Sequence, residues 1–513
     1  MPEKVVKLSS SHHEWEEPAF LQSDQKLSFR EVLQQHGRAL LLCCIPFTAA
    51  VLFGYDTIVN GAAISMPAFI IYFGEHNASG LYLPSLWTSL WTSMSALAQA
   101  LAATGTGILA DRIGRKWSGV IAGIISLAGA TVQYTAHTRS ALLGGKIVSG
   151  LGIGMAMAAG TTYASEIVSP RLVSPVQQAL VIFILIMQAL AMGVIRIFVP
   201  DVSEHAFRTV FAIQWGVGGL VVLAFALAPE SPVYSIVNGK QENAKKLFDW
   251  IYSESADREE RFNYLTKTIE EENSQQQANK AGYMECFQGT NLKRTFTIMF
   301  LFGIVNLGGA PFLSQSIYFL ISVGLPAIHV FDISVGGFGL AIIIIIASGI
   351  LLKNFRRSHI LFWGTVINLV FNLVIGALYY GNGDGPKWAI AILMNLLISL
   401  QAAFMQASGW SIAAEVSSYR LRAKSMSLGM MSQTFTTWII TFVVPYMYNV
   451  DSGNLGARTG FVFAGSSVLL LLGVYMLVPD TTGLSTEDLD NFYEAKVPVR
   501  QFASHKLAMQ AQA

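Results

Sequence analysis

The sequence predicts an all-α membrane protein, with twelve transmembrane helices arranged as two six-helix bundles. Three observations lead there. The 513 residues are 53% hydrophobic and 13% charged, whereas a soluble globular chain carries roughly 25% charged residues. Apolar stretches of about 20 residues, the length that crosses the hydrocarbon layer of a bilayer as a helix, recur along the chain. A stretch of the first half also returns, without a gap, in the second.

The spans fall near residues 39–69, 84–109, 116–136, 141–167, 176–199 and 207–228, then near 295–322, 328–352, 359–380, 386–414, 423–448 and 459–479. They divide the chain into a polar tail (1–38), a first bundle (39–228), a linker (229–294), a second bundle (295–479) and a second tail (480–513). The first tail has no charged leader followed by a short apolar core and a small-residue cleavage site, so no cleaved signal peptide is expected. Arg112, Arg115, Lys116, Arg171, Lys353, Arg356, Arg357, Arg420, Arg422 and Lys424 fall in the even-to-odd connections. The opposite connections hold little beyond Arg139, Arg208, Lys387 and Arg458. The bias of basic residues toward the cytoplasm then places both termini on that side, and the cell membrane is the expected location.

The linker carries dense mixed charge and helix formers and reads as several short amphipathic helices. The segment 270–280, "EEENSQQQANK", reads as solvated and mobile. Net charge is +1, which gives no reason to expect a nucleic-acid partner. Three cysteines supply no disulfide framework, and Cys43 and Cys44 read as small packing residues. Asn77-Ala78-Ser79 is a glycosylation sequon in the first outer loop, so Asn77 is a candidate glycosylation site.

"YASEIVSPRL", starting at Tyr163, lies over "IAAEVSSYRL", starting at Ile412. The overlay matches Glu166 with Glu415 and Arg171 with Arg420. The same offset, within about a residue, carries Pro229-Glu230-Ser231 onto Pro479-Asp480-Thr481. Two halves repeated in the same order imply an axis along the membrane normal, with a solute site between them near the midplane. That is the architecture of a carrier. Its glutamates and arginines sit at the inner ends of spans, either neutralising one another at headgroup level or forming a latch that breaks when the inner gate opens.

No nucleophile with a histidine, paired carboxylates or phosphate-cradling loop stands in a context that supports chemistry, so an enzyme is not expected. The nine histidines show no metal spacing, and no cofactor is expected. "GLGIG", from Gly150 to Gly154, matches a dinucleotide fingerprint only by letters, since glycines inside a span allow close helix packing.

"GILADRIGRK", from Gly107 to Lys116, resembles the loop signature of the major facilitator superfamily. "GKIVSGLGIG" in span four, "APESP" after span six and "PDTTG" after span twelve resemble the markers of its sugar porters. "GYDTIVNGAAISMPAFIIYFG", "YASE", "FAIQW", "EVSSYRLRAKS" and "LDNFYEAKVPVRQF" are similar to the fungal maltose and α-glucoside permeases, which are proton symporters. The resemblance implies a twelve-helix carrier, a monomer, taking up a sugar or α-glucoside with a proton.

It also implies roles. Asp56 in span one would carry the proton, with Lys146 in span four, a position usually arginine, facing it. The alternative is a static ion pair between the spans. Asp111, Arg112, Arg115, Glu166, Arg171, Glu230, Arg356, Arg357, Glu415, Arg420 and Arg422 would form the cytoplasmic gate or latch. The expected carboxamides of the sugar site are altered, with Ile182 in span five and Val305-Asn306 in place of the span-seven pair. Gln188, Asn306, Ser314, Gln315, Tyr318 and Trp410 remain as candidate solute contacts, against helix packing as the competing role. The altered positions leave open a carrier or exporter of a non-sugar metabolite. A non-transporting nutrient sensor is the more distant alternative, because the family's sensors have long tails and about 34 residues follow Pro479 here.

Overall fold

The computed structural model describes residues 29–77, 80–252, 257–278, 283–418, 421–481, 489, 492–493, 495 and 497–502. Ten helices among these are long and apolar enough to cross a membrane. Two more polar helices, Ser85–Ile113 and Arg422–Tyr448, complete the twelve-helix fold as spans two and eleven. Their polarity has a structural reason. These two helices pack on each other where the halves meet, and their buried hydroxyls bond their own backbone, as Ser93 Oγ does with Ser89 O at 2.6 Å.

Span four (Arg139–Ile167) is wedged between spans two and three by its glycines. A Cβ on Gly154 would lie 2.0 Å from the Gln99 carbonyl oxygen, and one on Gly152 would lie 2.4 Å from Ser126 N. Only a residue without a side chain allows such an approach, which is the packing use of "GLGIG".

Spans one, seven and ten are not the uninterrupted helices their hydropathy predicts. Span one runs Cys44–Ala62, tightens into a 3₁₀ turn at Ala63–Ser65 and restarts as Pro67–Phe73. Span seven stops at Leu307, because Pro311 has no N–H to donate and Gly309 turns at φ 100°. The carbonyls released by this break are not left bare in the membrane. Ser466 Oγ donates to Leu307 O at 2.6 Å, and Asn368 Nδ2 and Gln401 Nε2 donate to Gly308 O at 3.0 and 3.1 Å. Span ten changes to a π turn over Gln401–Gln406, where Gln401 makes that contact.

The face of the bundle that carries the linker is called here the linker face, and the opposite one the far face. On the far face a small hairpin pairs Glu75–Asn77 with Gly80–Tyr82. Arg139 braces it through Phe73 O at 3.0 Å and Glu75 Oε1 at 2.5 Å. A polar seam joins the halves there. Asn449 Nδ2 donates to Leu83 O at 2.6 Å, Ser85 N donates to Asp451 Oδ2 at 2.8 Å, and Arg196 Nε donates to Asp332 Oδ1 at 2.8 Å.

On the linker face, helices Pro232–Val237, Gln241–Ile251 and Arg258–Ala278 follow the first half. The last continues through most of 270–280, where the sequence reading expects a mobile stretch; residues 279–282 lie outside the described set. The C-terminal segment docks on the second half through Leu489, Phe492, Tyr493 and Phe502, all buried. Arg294 lies over the Tyr493 ring at 4.4 Å. Burial pushes the Tyr493 hydroxyl up to about 12.

Candidate functional site

Asp56 is 3% exposed in the middle of span one. A buried carboxylate needs donors to replace lost water, and three spans supply them. Gln214 Nε2 (span six) and Ser149 Oγ (span four) donate to Oδ1 at 3.0 and 3.4 Å, while Gln99 Nε2 (span two) donates to Oδ2 at 3.4 Å. Gln133 Nε2 (span three) in turn donates to Gln214 Oε1 at 3.5 Å.

Lys146 is 2% exposed. Its ammonium donates to Asn60 Oδ1 at 2.5 Å and Asn60 O at 3.2 Å. Asn60 stands one turn beyond Asp56 on the same helix face, so the two spans meet through two rungs, Asp56 to Ser149 and Asn60 to Lys146. The carboxylate is therefore solvated by neutral dipoles, with the ammonium beside it and bonded elsewhere. Gln99, Gln133 and Gln214 escape sequence reasoning because a neutral carboxamide in a span is usual between helices. "FAIQW" carried the only local signal, for Gln214.

The remaining solute candidates divide. Asn306 Nδ2 donates to Gln433 O at 3.1 Å and Thr436 Oγ1 at 3.2 Å, both in span eleven. Gln315 accepts from Tyr448 OH at 3.1 Å and donates to Thr441 O at 3.5 Å. Tyr318 belongs to the far-face seam, accepting from Leu83 N at 3.0 Å and donating to Asn449 Oδ1 at 3.3 Å. Ser314 is exposed and donates to Pro311 O of its own turn at 2.9 Å. Gln188 is half-buried. Trp410 is 39% exposed and stacks on Phe302 of span seven, with ring centroids 5.7 Å apart.

The charged motifs assemble at the linker face, separately in each half. In the first, Arg115 Nε donates to both Glu166 oxygens at 3.0 Å, and its Nη1 reaches Asp111 at 3.1 Å. Ser231 Oγ also donates to Glu166. Glu230 Oε1 accepts from the backbone N–H groups of Arg115, Lys116 and Ser231 at 2.8, 3.2 and 3.0 Å. Gly114 makes room for it, because at φ 96° its Cβ would meet Glu230 Oε2 at 2.1 Å.

The second half repeats the plan with other residues. Arg357 pairs with Glu415, and Arg356 with Asp480 at 3.5 Å. Glu415 and Asp480 are the repeat partners of Glu166 and Glu230. Arg112 and Arg422 are exposed; the former contributes its carbonyl to Tyr234 OH at 3.1 Å. Arg420 and the side chain of Arg171 lie outside the described residues, as does Ser79 of the sequon, whose Asn77 is exposed on the hairpin.

Comparison with known proteins places this geometry. A family model described as "Sugar (and other) transporter" matches residues 42–493. An MFS transporter of Aspergillus fumigatus, fmqE, is 40% identical over 96% of this chain and 94% of its own. A general α-glucoside permease of Saccharomyces cerevisiae is 25% identical over 94% of this chain and 79% of its own. Among solved structures, the inward-open xylose transporter XylE of E. coli overlays with a TM-score of 0.68 at 16% identity, covering 88% of this chain and 99% of that one. The chain is a member of the sugar (and other) transporter family of the major facilitator superfamily, a multi-pass membrane transporter of small solutes and not an enzyme.

Proposed function

We propose that this transporter is a proton-coupled, alternating-access carrier with Asp56 as the proton site, and that its solute presents fewer hydroxyl groups than an α-glucoside. The observation that carries the solute reading is that Asn306, Gln315 and Tyr318 are bonded to span eleven and its end and to the loop before span two rather than left open. A sugar is recognised by side chains that donate and accept at once. Here an exposed ring is on offer in Trp410, stacked on Phe302, and Ile182 and Val305 stand where carboxamides are expected. An apolar, ring-bearing metabolite suits that surface better.

Proton coupling rests on the buried setting of Asp56. A carboxylate held by neutral dipoles can take up a proton without breaking an ion pair, and an ionisable residue inside a membrane is costly enough to imply use. The Arg115–Glu166 and Arg357–Glu415 clusters, each bonded within its own half, are the surfaces that would meet as the latch when the linker face closes, that face being taken as cytoplasmic from the bias of basic residues. The cell membrane and a monomeric state complete the reading.

Uptake of α-glucosides is the second reading, favoured by similarity to the permease across 94% of this chain and by half-buried Gln188. Proteoliposomes with an imposed proton gradient separate the two. Wild type and Asp56→Asn are tested with labelled maltose and with a labelled aromatic metabolite. Accumulation of the aromatic solute alone, lost in Asp56→Asn, supports the first reading. Maltose accumulation abolishes it in favour of the second, and gradient-insensitive uptake removes the proton.

A further inference from the structure

On the linker face, a cleft of about 610 Å³ lies between the start of span three, the chain after span six and helix Gln241–Ile251. Lys116, Lys240 and Lys246 line it together with Trp117, Tyr234 and Glu230. Its volume lies within the roughly 300–1,000 Å³ of small-molecule sites.

The charge of the cleft is unbalanced. Among the described residues none of the three lysines pairs with a carboxylate, whereas neighbouring Lys245 pairs with Glu259 at 3.6 Å. The one acid in the lining, Glu230, is already engaged by three backbone N–H groups through Oε1. Three ammonium groups from two separate segments therefore converge without a counter-charge. Lysine is a compact point charge suited to phosphate.

The position of Trp117 at the edge of the cleft points to the source of that phosphate. Trp117 is 55% exposed at the first turn of a membrane span, beside Lys116, whose ammonium lies 6.0 Å from its ring centre. An exposed indole at a span end belongs in the headgroup layer, and clustered lysines beside a span meet anionic lipid there. From this geometry we infer that the cleft binds the phosphorylated headgroup of an inositol lipid, clamping the linker helix to the first half next to Glu230. This site is separate from the solute pathway and does not depend on which solute is carried.

The test uses the full chain in detergent and fluorescent dioctanoyl phosphatidylinositol 4-phosphate, read by anisotropy. Saturable binding is expected, weakened at least ten-fold in Lys240→Gln/Lys246→Gln and unchanged in Lys245→Gln. Both lysines of the double variant are exposed, and an unchanged size-exclusion profile checks its fold. Trp117→Ala should weaken the lipid more than free inositol 1,4-bisphosphate. Equal affinity in the double variant, or equal competition by dioctanoyl phosphatidylcholine, overturns the site. Free inositol bisphosphate binding as tightly as the lipid overturns the assignment to a membrane source.

Discussion

Lys146 directs its ammonium to Asn60, 2.5 Å from Oδ1, and not to Asp56 one helical turn away. Removing the amide of Asn60 should therefore leave a buried ammonium short of an acceptor. Such a loss costs about 1–3 kcal/mol, more for a charged group. Asn60→Leu is expected to lower the melting temperature in detergent, and Lys146→Met/Asn60→Leu to recover most of it. A single Asn60→Leu variant as stable as wild type would refute this assignment of the ammonium.

Asp56→Asn should separate two transport modes. The amide keeps the size of the carboxyl group and can still bond Gln214 and Ser149, so solute exchange between preloaded and external pools is expected to persist. Accumulation against a gradient should fall at least ten-fold. Parallel loss of both in well-folded protein would point to a structural role instead.

The two arginine clusters look alike but should differ in their stability cost. The Arg115–Glu166 side chains are 11% and 11% exposed, against 32% and 31% for Arg357–Glu415. Breaking a buried pair costs roughly 3–5 kcal/mol, while an exposed pair contributes about 0–1 kcal/mol. Arg115→Ala should lower the melting temperature markedly more than Arg357→Ala in the same detergent.

Gly114 and Gly107 provide a matched pair within one loop motif. At Gly114 the backbone has φ 96° and a Cβ would strike Glu230, whereas nothing lies within 4 Å of a Cβ at Gly107. Gly114→Ala is expected to destabilise by about 1–3 kcal/mol. Gly107→Ala should be neutral or slightly stabilising, since alanine is the better helix former. Thermal melts of the two variants check the contrast.

Asn449 is the centre of the far-face seam, bonded to Leu83 O, Ser85 Oγ and Tyr318 OH. Asn449→Ala should shift the carrier toward opening on that face. A shift of about 1.4 kcal/mol is ten-fold in population. Leu83→Cys, placed at a 0% exposed position in a Cys44→Ser background, should then react about ten-fold faster with an impermeant maleimide. An unchanged rate would remove Asn449 from the gate.

The sequence makes the spans legible because hydropathy is summed over whole helices, least clearly for spans two and eleven, which are more polar than the other ten. Their interruptions are harder to read. "GGAP" at Gly308 to Pro311 marks a break in hindsight, but whether a helix tolerates such residues depends on the neighbours that satisfy its carbonyls, here Ser466, Asn368 and Gln401 from spans twelve, nine and ten. Asp56 and Lys146 stand out for a similar reason in reverse: a charge among apolar residues is visible one residue at a time. The carboxamides around them have meaning only once distant spans are brought together. Tyr318 illustrates the limit, since nothing local distinguishes a solute contact from the seam it joins.

The middle of the first half contains one carboxylate and one ammonium, while the break in span seven is held by the neutral groups of Asn368 and Gln401. The two halves therefore respond differently to a membrane voltage. On the proposed proton site, an ionised Asp56 makes the first core sum to zero, and the empty carrier would reorient without moving net charge. Protonation there would uncover the charge of Lys146, and 100 mV acts on an elementary charge with about 2.3 kcal/mol for passage through the whole field, in proportion for the part traversed. Under that assignment the loaded and empty strokes of one cycle would have different electrical characters, with the difference residing in a single half.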